Sequence, residues 1–414
     1  MITAPRVPSL GDAERLDRND ELAAYRDRFL PIDDSSVIAY LDGNSLGRPL
    51  KRTLGLVHDL VADQWSSRMI RGWQDGWLEL PQRLGDRLGA AGLGAGPGQV
   101  ILADSTTVCL YKVLRAAVSL RPGRTGIVTD TDNFPTDRYV VEAVADELGM
   151  TIHWIESDPS SGVTEEQVAE AVGPDTAVVT LSHVAYRSAF IADMEHINSL
   201  VHAAGGLAVW DLCHSVGSVP VSLDASGADF AVGCTYKFLN AGPGAPGFLY
   251  VREEHQAGLR QPIPGWMSAR DRFAMAPEYA AATGVRRMLS GTPAVTGLAG
   301  VAAGVELLAE AGIERIRAKS TALTRMAIEL CDAWLVPLGF AVGSPREEAI
   351  RGGHVTVTHP RAAEFARTLI DNGVIIDFRA PDGIRVGLSP LCTSFTELWA
   401  ALDRTRVLAS EALI

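Results

Sequence analysis

Hydrophobic and polar positions follow two alternating periods along the middle of the chain. From about residue 100, short apolar runs such as QVILAD, TGIVTD and TAVVTLSHV have the composition of buried strands. Each is followed by a segment with the spacing of an amphipathic helix, and the order repeats through MTIHWIE and GLAVWDLCHS. Strands that alternate with helices form parallel sheets covered on both faces, so the pattern predicts an α/β fold with a mostly parallel sheet.

The two ends of the chain have a different pattern. Residues 11–70 are predicted to be helical with one interruption, a short strand VIAYLD and the turn-forming GNSLG. Beyond about residue 291, one or two long helices precede three short strands. We therefore predict an N-terminal helical segment and arm (1–70) that packs with a small domain, a large α/β domain (71–290) and a small C-terminal α+β domain (291–414).

Composition narrows the class of protein. The 414 residues are 47% hydrophobic and 21% charged, which is typical of globular proteins. A net charge of -13 argues against a nucleic-acid partner. The five cysteines are scattered without a CxxC pair, so we expect no disulfide framework and no metal cluster. The first residues lack an apolar leader and no run has the length and purity of a membrane span, which predicts a cytoplasmic protein with no membrane contact.

Polar residues cluster where the predicted strands end. Because ligands of open parallel sheets bind at the carboxyl ends of the strands, we expect these residues to meet at one edge of the sheet. They are Asp104 to Thr107, Thr131 to Asn133, Ser182 with His183, Asp211 with His214, and Thr235 to Lys237. The hydroxyl residues in DSTTVCLYK begin a helix, where they act either as an N-cap or as part of an anion site.

Asp211, in WDLCHS, lies at the end of an apolar strand. A carboxylate there is costly unless it is paired, either with a protonated ring nitrogen of a ligand or with an arginine or lysine. His214, three residues later, can stack on a planar ligand or hydrogen-bond to it, although a single histidine is more often structural.

Lys237 lies between Tyr236 and Phe238 and precedes the Gly- and Pro-rich NAGPGAPG. Burial disfavours the charged form of lysine, and a neutral amine forms Schiff bases with carbonyl groups. The alternative is a surface lysine whose stem packs on apolar neighbours. An anion site, an acid for a ring nitrogen and a Schiff-base lysine, in this chain order, match what pyridoxal phosphate requires.

Several motifs resemble the kynureninase family, in order from about residue 40 to 400. They are YLDGNSLG, DNFPTDRY, WDLCHSVGSVPVSL, TYKFLNAGPGAPGFLYV and RVGLSPLCTSF. The resemblance implies the transferase-like fold type I of pyridoxal-phosphate enzymes, in the aminotransferase class V-like superfamily, with a seven-stranded-type sheet. It also implies a homodimer with shared active sites, and hydrolysis of the Cβ–Cγ bond of L-kynurenine or its 3-hydroxy form to an anthranilate and L-alanine.

The same resemblance implies the residues of the site. The catalytic residues would be Lys237, Tyr236 and Asp211. The pyridoxal 5'-phosphate would be held by these three and by Thr106, Thr107, Phe134, Asp137, Ser182, His214, Trp266 and Thr292, with Thr292 reaching the site of the partner subunit. The amino-acid substrate would be bound by Arg385, Asn44 and Ser45, with the Arg385 guanidinium gripping its α-carboxylate.

Four places depart from the family pattern and leave the aryl group of the substrate open. They are Met267–Ala269, the segment VAYRSA from Val184, Cys392 and Cys109. A ring-modified kynurenine from secondary metabolism is therefore one alternative substrate. Another enzyme of the superfamily, such as a cysteine desulfurase or aminotransferase, is a second alternative. A binding module without activity is the third, against which the presence of Lys237, Asp211 and Arg385 speaks.

Overall fold

The computed structural model describes residues 7–412, and its elements confirm the predicted α/β fold. The helices are α1 (Leu10–Arg18), α2 (Lys51–His58), α3 (Ser66–Arg68), α4 (Leu80–Leu88), α5 (Thr106–Ser119), α6 (Pro135–Leu148), α7 (Glu165–Ala171), α8 (Met194–Ala203), α9 (Leu223–Ser226), α10 (Glu253–Gln256), α11 (Val295–Ala311), α12 (Ile313–Trp334), α13 (Ala362–Asp371) and α14 (Phe395–Ala412). The strands are β1 (Ala39–Tyr40), β2 (Val100–Ala103), β3 (Gly126–Asp130), β4 (Thr151–Ile155), β5 (Thr176–Ser182), β6 (Leu207–Asp211), β7 (Phe230–Gly233), β8 (Gly247–Val251), β9 (Ala341–Val342), β10 (His354–Thr358), β11 (Val374–Ile375), β12 (Asp377–Arg379) and β13 (Gly383–Gly387).

A seven-stranded sheet forms the centre of the molecule, in the order β2-β8-β7-β6-β5-β3-β4. The strands from β7 to β4 pair in parallel, whereas β8 is antiparallel to both of its neighbours. Strands β2, β3, β6, β7 and β8 are buried along their whole length, which explains their continuous apolar runs. The register places Ser182 beside Asp211, so these two polar residues are neighbours at the carboxyl ends of β5 and β6.

A smaller antiparallel sheet in the order β12-β13-β10-β9 lies in the C-terminal part. Its register places Arg385 on β13 opposite both Asp377 on β12 and Thr356 on β10. Strand β1, from the N-terminal part of the chain, pairs in parallel with β11. The chain after β1 continues alongside β13, because the Gly387 amide donates to the Leu41 carbonyl at 2.7 Å. The segment that follows β1 is therefore brought next to Arg385.

Buried side chains form separate apolar clusters around the two sheets. Helix α11 packs in a cluster with strands of the large sheet, whereas most of α12 packs with the small sheet and with α13 and α14. The two helices meet at Gly312 with a bend of 85°. Within residues 7–412, no single helix is long and apolar enough to cross a membrane, and this bent pair passes such a test only when taken together. The predicted bounds of the three segments stay a prediction.

The N-terminal segment is attached to the small domain by polar contacts. The Asp17 carboxylate accepts hydrogen bonds from the Phe395 and Thr396 amides at 2.9 and 3.0 Å, at the start of α14. Lys319 and Asp20 form an ion pair of 2.7 Å whose side chains are both almost fully buried. These contacts fix the arm that leads to residues 44–47 at the site described below.

Candidate active site

Lys237 lies in the turn after β7, where the large sheet ends. The turn is fixed by its own polar groups, since Thr235 Oγ1 donates to the Pro246 carbonyl at 2.7 Å. The Lys237 side chain is 9% exposed, and its Nζ lies 2.9 Å from His214 Nε2. The same nitrogen lies 5.9 Å from the centre of the Phe134 ring. The predicted burial of this lysine is thus confirmed.

The N-terminal GNSLG segment packs directly on the lysine turn. The Gly47 amide donates to the Tyr236 carbonyl at 2.8 Å. A Cβ atom at Gly47 would overlap with the Lys237 carbonyl oxygen, so this position accepts only a glycine without a shift of the backbone. The glycine in this motif therefore serves a close approach of two backbones rather than a simple turn.

Asp211 and Asp137 form a buried pair of carboxyl groups near Lys237. Asp211 ends β6, and its Oδ1 accepts a hydrogen bond of 2.7 Å from the Cys213 amide. Asp137, in the first turn of α6, is 4% exposed. Burial and the adjacent, hydrogen-bonded Asp211 raise the pKa of Asp137 well above its usual value. The pair therefore holds a proton, which leaves one negative charge available for a cationic ligand group.

The N-terminus of α5 forms a polar wall of a cavity of about 420 Å³. Ser105 is the N-cap, and Thr106 and Thr107 follow it with partly exposed side chains. A Cβ atom on Gly247 would lie 3.1 Å from the Thr106 amide nitrogen, so the absence of a side chain there keeps this amide accessible. Tyr236 and Thr292 also line the cavity. Free amides at the start of a 14-residue helix, beside hydroxyl groups, suit a phosphate.

Tyr236 lies between the cavity and the Asp211 region. Burial, together with the nearby Cys234 and Cys213 thiols, raises the pKa of its phenol above the usual value. The phenol is therefore a hydrogen-bond donor at neutral pH. Cys109, Cys213, Cys234, Cys331 and Cys392 are all free and buried, as expected from their scattered positions.

Ser182 and the NFPTD segment are connected through Asn133. Ser182 Oγ donates to Asn133 Oδ1 at 2.9 Å, and the Phe134 amide donates to the same oxygen at 2.8 Å. The Phe134 ring then meets the Tyr186 ring edge to face, with 5.4 Å between centres. Phe134 is thus fixed from two sides and faces Lys237.

Arg385 is fully buried and already carries a carboxylate, that of Asp377. Its Nε donates to Asp377 Oδ1 at 2.8 Å, and its Nη2 donates to Asp377 Oδ2. Nη2 also donates to Ser45 Oγ at 2.9 Å, and Nη1 donates to the Tyr186 carbonyl at 2.8 Å. Asp377 therefore sets the orientation of the guanidinium, and one N–H of Nη1 is left for a further carboxylate.

Two more charged groups surround this ion pair. Arg379 contacts Asp377 Oδ2 at 2.7 Å, and its buried Nε has no partner among the described residues. Asp42 is partly buried and faces Asp377, and both effects raise its pKa to about 6.

The Asn44 side chain is fully buried, and within residues 7–412 neither its amide nitrogen nor its oxygen has a hydrogen-bond partner. Unpaired buried polar groups of this kind are typical of ligand sites.

His354 joins the site although the sequence analysis did not single it out. Its ring is fully buried, and its centre lies 5.5 Å from that of His214. Burial first, and then the neighbouring Arg385, lower the pKa of His354 to about 3. Burial and the charge of Lys237 lower the pKa of His214 in the same way. Both imidazoles are neutral at physiological pH.

Trp266 lies in a different environment from the other predicted cofactor residues. Its described ring contacts are with Trp73 and Phe273, at 6.4 and 6.3 Å between centres. Beside it, Met267 and Ser268, which differ from the family pattern, are buried. The structure thus brings most predicted residues together around Lys237, and it places Thr292 on the wall of the cavity. Among residues 7–412 of a single chain, no described contact joins Trp266 to Lys237.

The sequence analysis does not name two residues of the site, His354 and Asp377, and it names Asn133 only together with its neighbours. Each carries a signal that pattern reading could have used. His354 is a polar residue in an apolar strand, Asp377 is an acid at the start of another, and Asn133 precedes the FPTD motif. Their partners lie far away in the chain, so the contacts themselves require the folded structure.

Comparison with known folds extends the α/β assignment. The structure is similar to a cysteine desulfurase from Thermococcus onnurineus NA1 (TM-score 0.79, 19% identity, 99% of this chain and 100% of that chain). It is also similar to a C-DES mutant with glycine covalently linked to the PLP cofactor (TM-score 0.80, 18% identity, 92% of this chain and 98% of that chain). At these identities the likeness concerns the fold, and it confirms the predicted fold type.

Comparison of sequences separates the alternatives. Residues 316–405 match the kynureninase C-terminal domain. The chain is 42% identical over 399 residues to a kynureninase from Pseudomonas fluorescens, covering 95% of this chain and 93% of that protein. It is 37% identical over 409 residues to a kynureninase from Burkholderia pseudomallei strain 1106a, covering 97% and 96%. The desulfurase and aminotransferase alternatives are not favoured. Since the similarity runs through nearly its whole length, the chain belongs to the kynureninase family.

Proposed function

We propose that this protein is a pyridoxal-phosphate-dependent hydrolase that cleaves the Cβ–Cγ bond of L-kynurenine, 3-hydroxy-L-kynurenine or both. The products are anthranilate, or 3-hydroxyanthranilate, and L-alanine. The observation that carries the proposal is the buried Lys237, 2.9 Å from His214, in a chain 42% identical to a named kynureninase over 95% of its length. The kynurenine pathway of tryptophan catabolism and the cytoplasm are proposed as its setting on the strength of family membership.

The residues present fit pyridoxal phosphate. The amides at the start of α5 suit the phosphate, and the Asp211–Asp137 pair offers a negative charge for a protonated ring nitrogen. The buried amine of Lys237 suits the aldehyde, and the Phe134 ring lies near that amine. The absence of a side chain on Gly247 also leaves room beside the Thr106 amide for the phosphate.

When bound, pyridoxal phosphate supplies an electron sink for the bonds around the α-carbon of an amino acid. Lys237, once its amine is free, takes the proton from that carbon as a general base. Asp211 keeps the ring nitrogen protonated, because it shares a buried negative charge with Asp137. Tyr236 donates a hydrogen bond from a phenol that stays protonated at neutral pH.

The amino-acid substrate is held by Arg385, Ser45 and Asn44. Arg385 presents the remaining N–H of Nη1 to the α-carboxylate while Asp377 holds the Nε and Nη2 edge of the guanidinium. Ser45 Oγ accepts from Nη2 at 2.9 Å and donates to Asp377 Oδ2 at 2.8 Å, so this hydroxyl group helps to hold the guanidinium that meets the carboxylate. The unpaired Asn44 amide supplies both a donor and an acceptor next to this group.

A homodimer with shared active sites is part of the proposal. Large apolar side chains are exposed at Trp65 (55%), Met69 (59%) and Ile70 (76%), and near them lies a cavity of about 440 Å³ lined by these residues and Pro293 to Gly297. A contiguous apolar surface of this kind favours contact with another protein surface. Thr292, next to this surface, would then reach the second active site, and we propose the same role for Trp266.

A panel of substrates tests the proposal. Purified protein supplied with pyridoxal phosphate is assayed with kynurenine, 3-hydroxykynurenine and ring-substituted analogues. We expect cleavage of one or both of the first two with the highest kcat/KM. Cleavage of a substituted analogue with clear preference over both would contradict the proposed substrate, and colourless protein that gains no visible absorbance band with the cofactor would contradict the proposed chemistry.

A further inference from the structure

Two buried imidazole nitrogens lie unpaired in the region of Lys237 and Arg385. They are the Nδ1 atoms of His214 and His354, which have no hydrogen-bond partner among residues 7–412. The rings are adjacent, with centres 5.5 Å apart and planes tilted by 59°. Both side chains are at least nine-tenths buried, so an unpaired nitrogen here is costly unless a small ligand meets it.

The partners of the other nitrogens define what each Nδ1 atom can do. His354 Nε2 lies 3.2 Å from the Arg187 carbonyl, which only accepts, so Nε2 carries the proton and Nδ1 is a bare acceptor. His214 Nε2 lies 2.9 Å from Lys237 Nζ. When the charged amine donates this bond, Nε2 accepts and His214 Nδ1 carries a proton. The two unpaired atoms are thus an acceptor and a donor.

The strand register aims His354 at the same region as the predicted carboxylate clamp. His354 lies opposite Gly387, and Thr356 lies opposite Arg385, so their side chains share one face of the small sheet. Thr356 Oγ1 also donates to the Arg187 carbonyl. The Arg187 carbonyl therefore fixes the His354 ring through Nε2, and Nδ1 is left without a hydrogen-bond partner among residues 7–412.

We propose that His214 and His354 hold the hydrolytic water between their Nδ1 atoms, with His214 donating to the water oxygen and His354 accepting one of its protons. This assignment rests on the proposed function, because the reaction consumes water. The water oxygen bonds to the γ-carbonyl carbon of the substrate, and the Cβ–Cγ bond then breaks. The aryl group leaves as a carboxylic acid, and the electron pair of the broken bond takes up the proton that the water has lost, at Cβ.

The charges around the two rings favour this role. Lys237, Arg385 and Arg379 all act to lower the pKa of His214, which places three cationic side chains close enough to be felt there. A positive field of this kind stabilises negative charge as it develops on the oxygen. His354 has a pKa lowered to about 3, so its ring is neutral and accepts the hydrogen bond from the water, whose proton passes on to Cβ as the Cβ–Cγ bond breaks.

Two substitutions of His354 separate the proposed role from a structural one. His354→Gln retains a donor near the position of Nε2 and removes the acceptor at Nδ1. His354→Asn retains an acceptor near the position of Nδ1 and removes the contact with the Arg187 carbonyl. We expect the Gln variant to cleave kynurenine about 100-fold more slowly, and the Asn variant to retain more of the rate, although it is the less stable protein in a thermal melt.

Three further readouts accompany the rates. The dissociation constant of pyridoxal phosphate, from its visible absorbance, and the exchange of the α-proton of L-alanine in D2O need no hydrolytic water, so both should match the wild type in the Gln variant. A crystal structure of the holoenzyme should show a water within about 3.2 Å of both Nδ1 atoms. A Gln variant that hydrolyses at the wild-type rate, or loses exchange and hydrolysis in parallel, would overturn the inference.

A failure of the proposed function would look different. In that case the wild-type protein would bind the cofactor and exchange the α-proton of alanine, yet release no anthranilate from kynurenine. The inference fails on its own if the wild type cleaves kynurenine and the Gln variant either does so equally well or loses exchange and hydrolysis in parallel.

Discussion

At the scale of single residues, the site depends on how each charge is paired. Arg385 illustrates the point, because the sequence predicts a clamp for the α-carboxylate and the structure shows that its guanidinium is also held by Asp377, Ser45 and the Tyr186 carbonyl. Asp377 lies eight positions before Arg385, and only the antiparallel register of β12 and β13 places them side by side. A clamp oriented in advance loses less conformational freedom when the substrate binds.

Arg385→Ala is expected to raise KM for kynurenine by at least about tenfold while kcat changes little, because it removes charged hydrogen bonds to the substrate carboxylate. Arg385→Lys keeps the charge but lacks the planar guanidinium, so its KM should lie between those of the wild type and the Ala variant. Steady-state kinetics on the three proteins provide the measurement. An unchanged KM in the Ala variant would show that the α-carboxylate binds elsewhere.

At the scale of elements, helix α11 supports the turn that carries Lys237. Its glycines allow the helix to lie directly on the backbone after the lysine: a Cβ atom at Gly300 would overlap with the Ala241 carbonyl, and one at Gly304 with the Leu239 carbonyl. The Gly- and Pro-rich stretch after Lys237 is therefore one half of a close helix-to-turn contact, whose other half lies 59 to 65 residues later in the chain.

Gly304→Ala is expected to lower the free energy of unfolding by about 1–3 kcal/mol, since the added methyl group cannot be accommodated without moving α11 or the turn. It should also weaken cofactor binding by displacing Lys237. Gly55→Ala on α2 is the matched control, because no atom lies within 4 Å of its added Cβ and alanine favours a helix. Denaturant unfolding measures both, and equal stabilities would contradict the packing argument.

Many of the strands and the polar residues at their ends could be predicted from the sequence, because the signals for them are local in the chain. The apolar runs of β3, β5 and β6 and the polar residues at their ends are contiguous in the chain, so the sequence predicts Ser182 and Asp211 at one edge of the sheet. The partners of Arg385 and the approach of Gly47 to Lys237 depend on contacts between distant segments. Apolar patterning carries no information on such contacts.

At the scale of the whole molecule, buried neutral histidines link stability to pH. Burial lowers the pKa of His183 from 6.5 to about 4, and its Nδ1 lies 2.9 Å from Ser215 Oγ. A pKa lowered by folding means that the unfolded chain takes up a proton first as the pH falls. The contribution of His183 is therefore complete above pH 6.5 and is lost as the pH falls to about 4.

His183→Gln should reduce that pH dependence. We expect the variant to lose roughly 3 kcal/mol less stability than the wild type between pH 7 and pH 4, from a shift of about 2.5 pH units at about 1.4 kcal/mol each. The variant is compared with the wild type by urea unfolding at both pH values, because the other buried groups are common to the two proteins. Parallel pH profiles would show that His183 does not titrate as a buried neutral group.

The exposed apolar surface around Trp65, Met69 and Ile70 leads us to predict that the whole molecule forms a dimer. Ile70→Glu places a charge in its centre and should shift the protein toward monomer, and should also reduce retention of the cofactor if the sites are shared. Ile370→Glu on α13 is the control, since Ile370 is also an exposed isoleucine (43%) outside this surface. Analytical ultracentrifugation gives the result, and two variants with the same mass in solution as the wild type would refute the assignment of this surface.

The central claim is that Lys237 carries out kynurenine cleavage with pyridoxal phosphate. The most direct measurement is the yield of anthranilate and L-alanine from L-kynurenine, for the wild type and Lys237→Ala at equal cofactor occupancy. We expect equimolar products from the wild type and none from the variant, which should still fold and bind the cofactor without a covalent bond. Comparable product from Lys237→Ala, or none from a cofactor-loaded wild type, would contradict it.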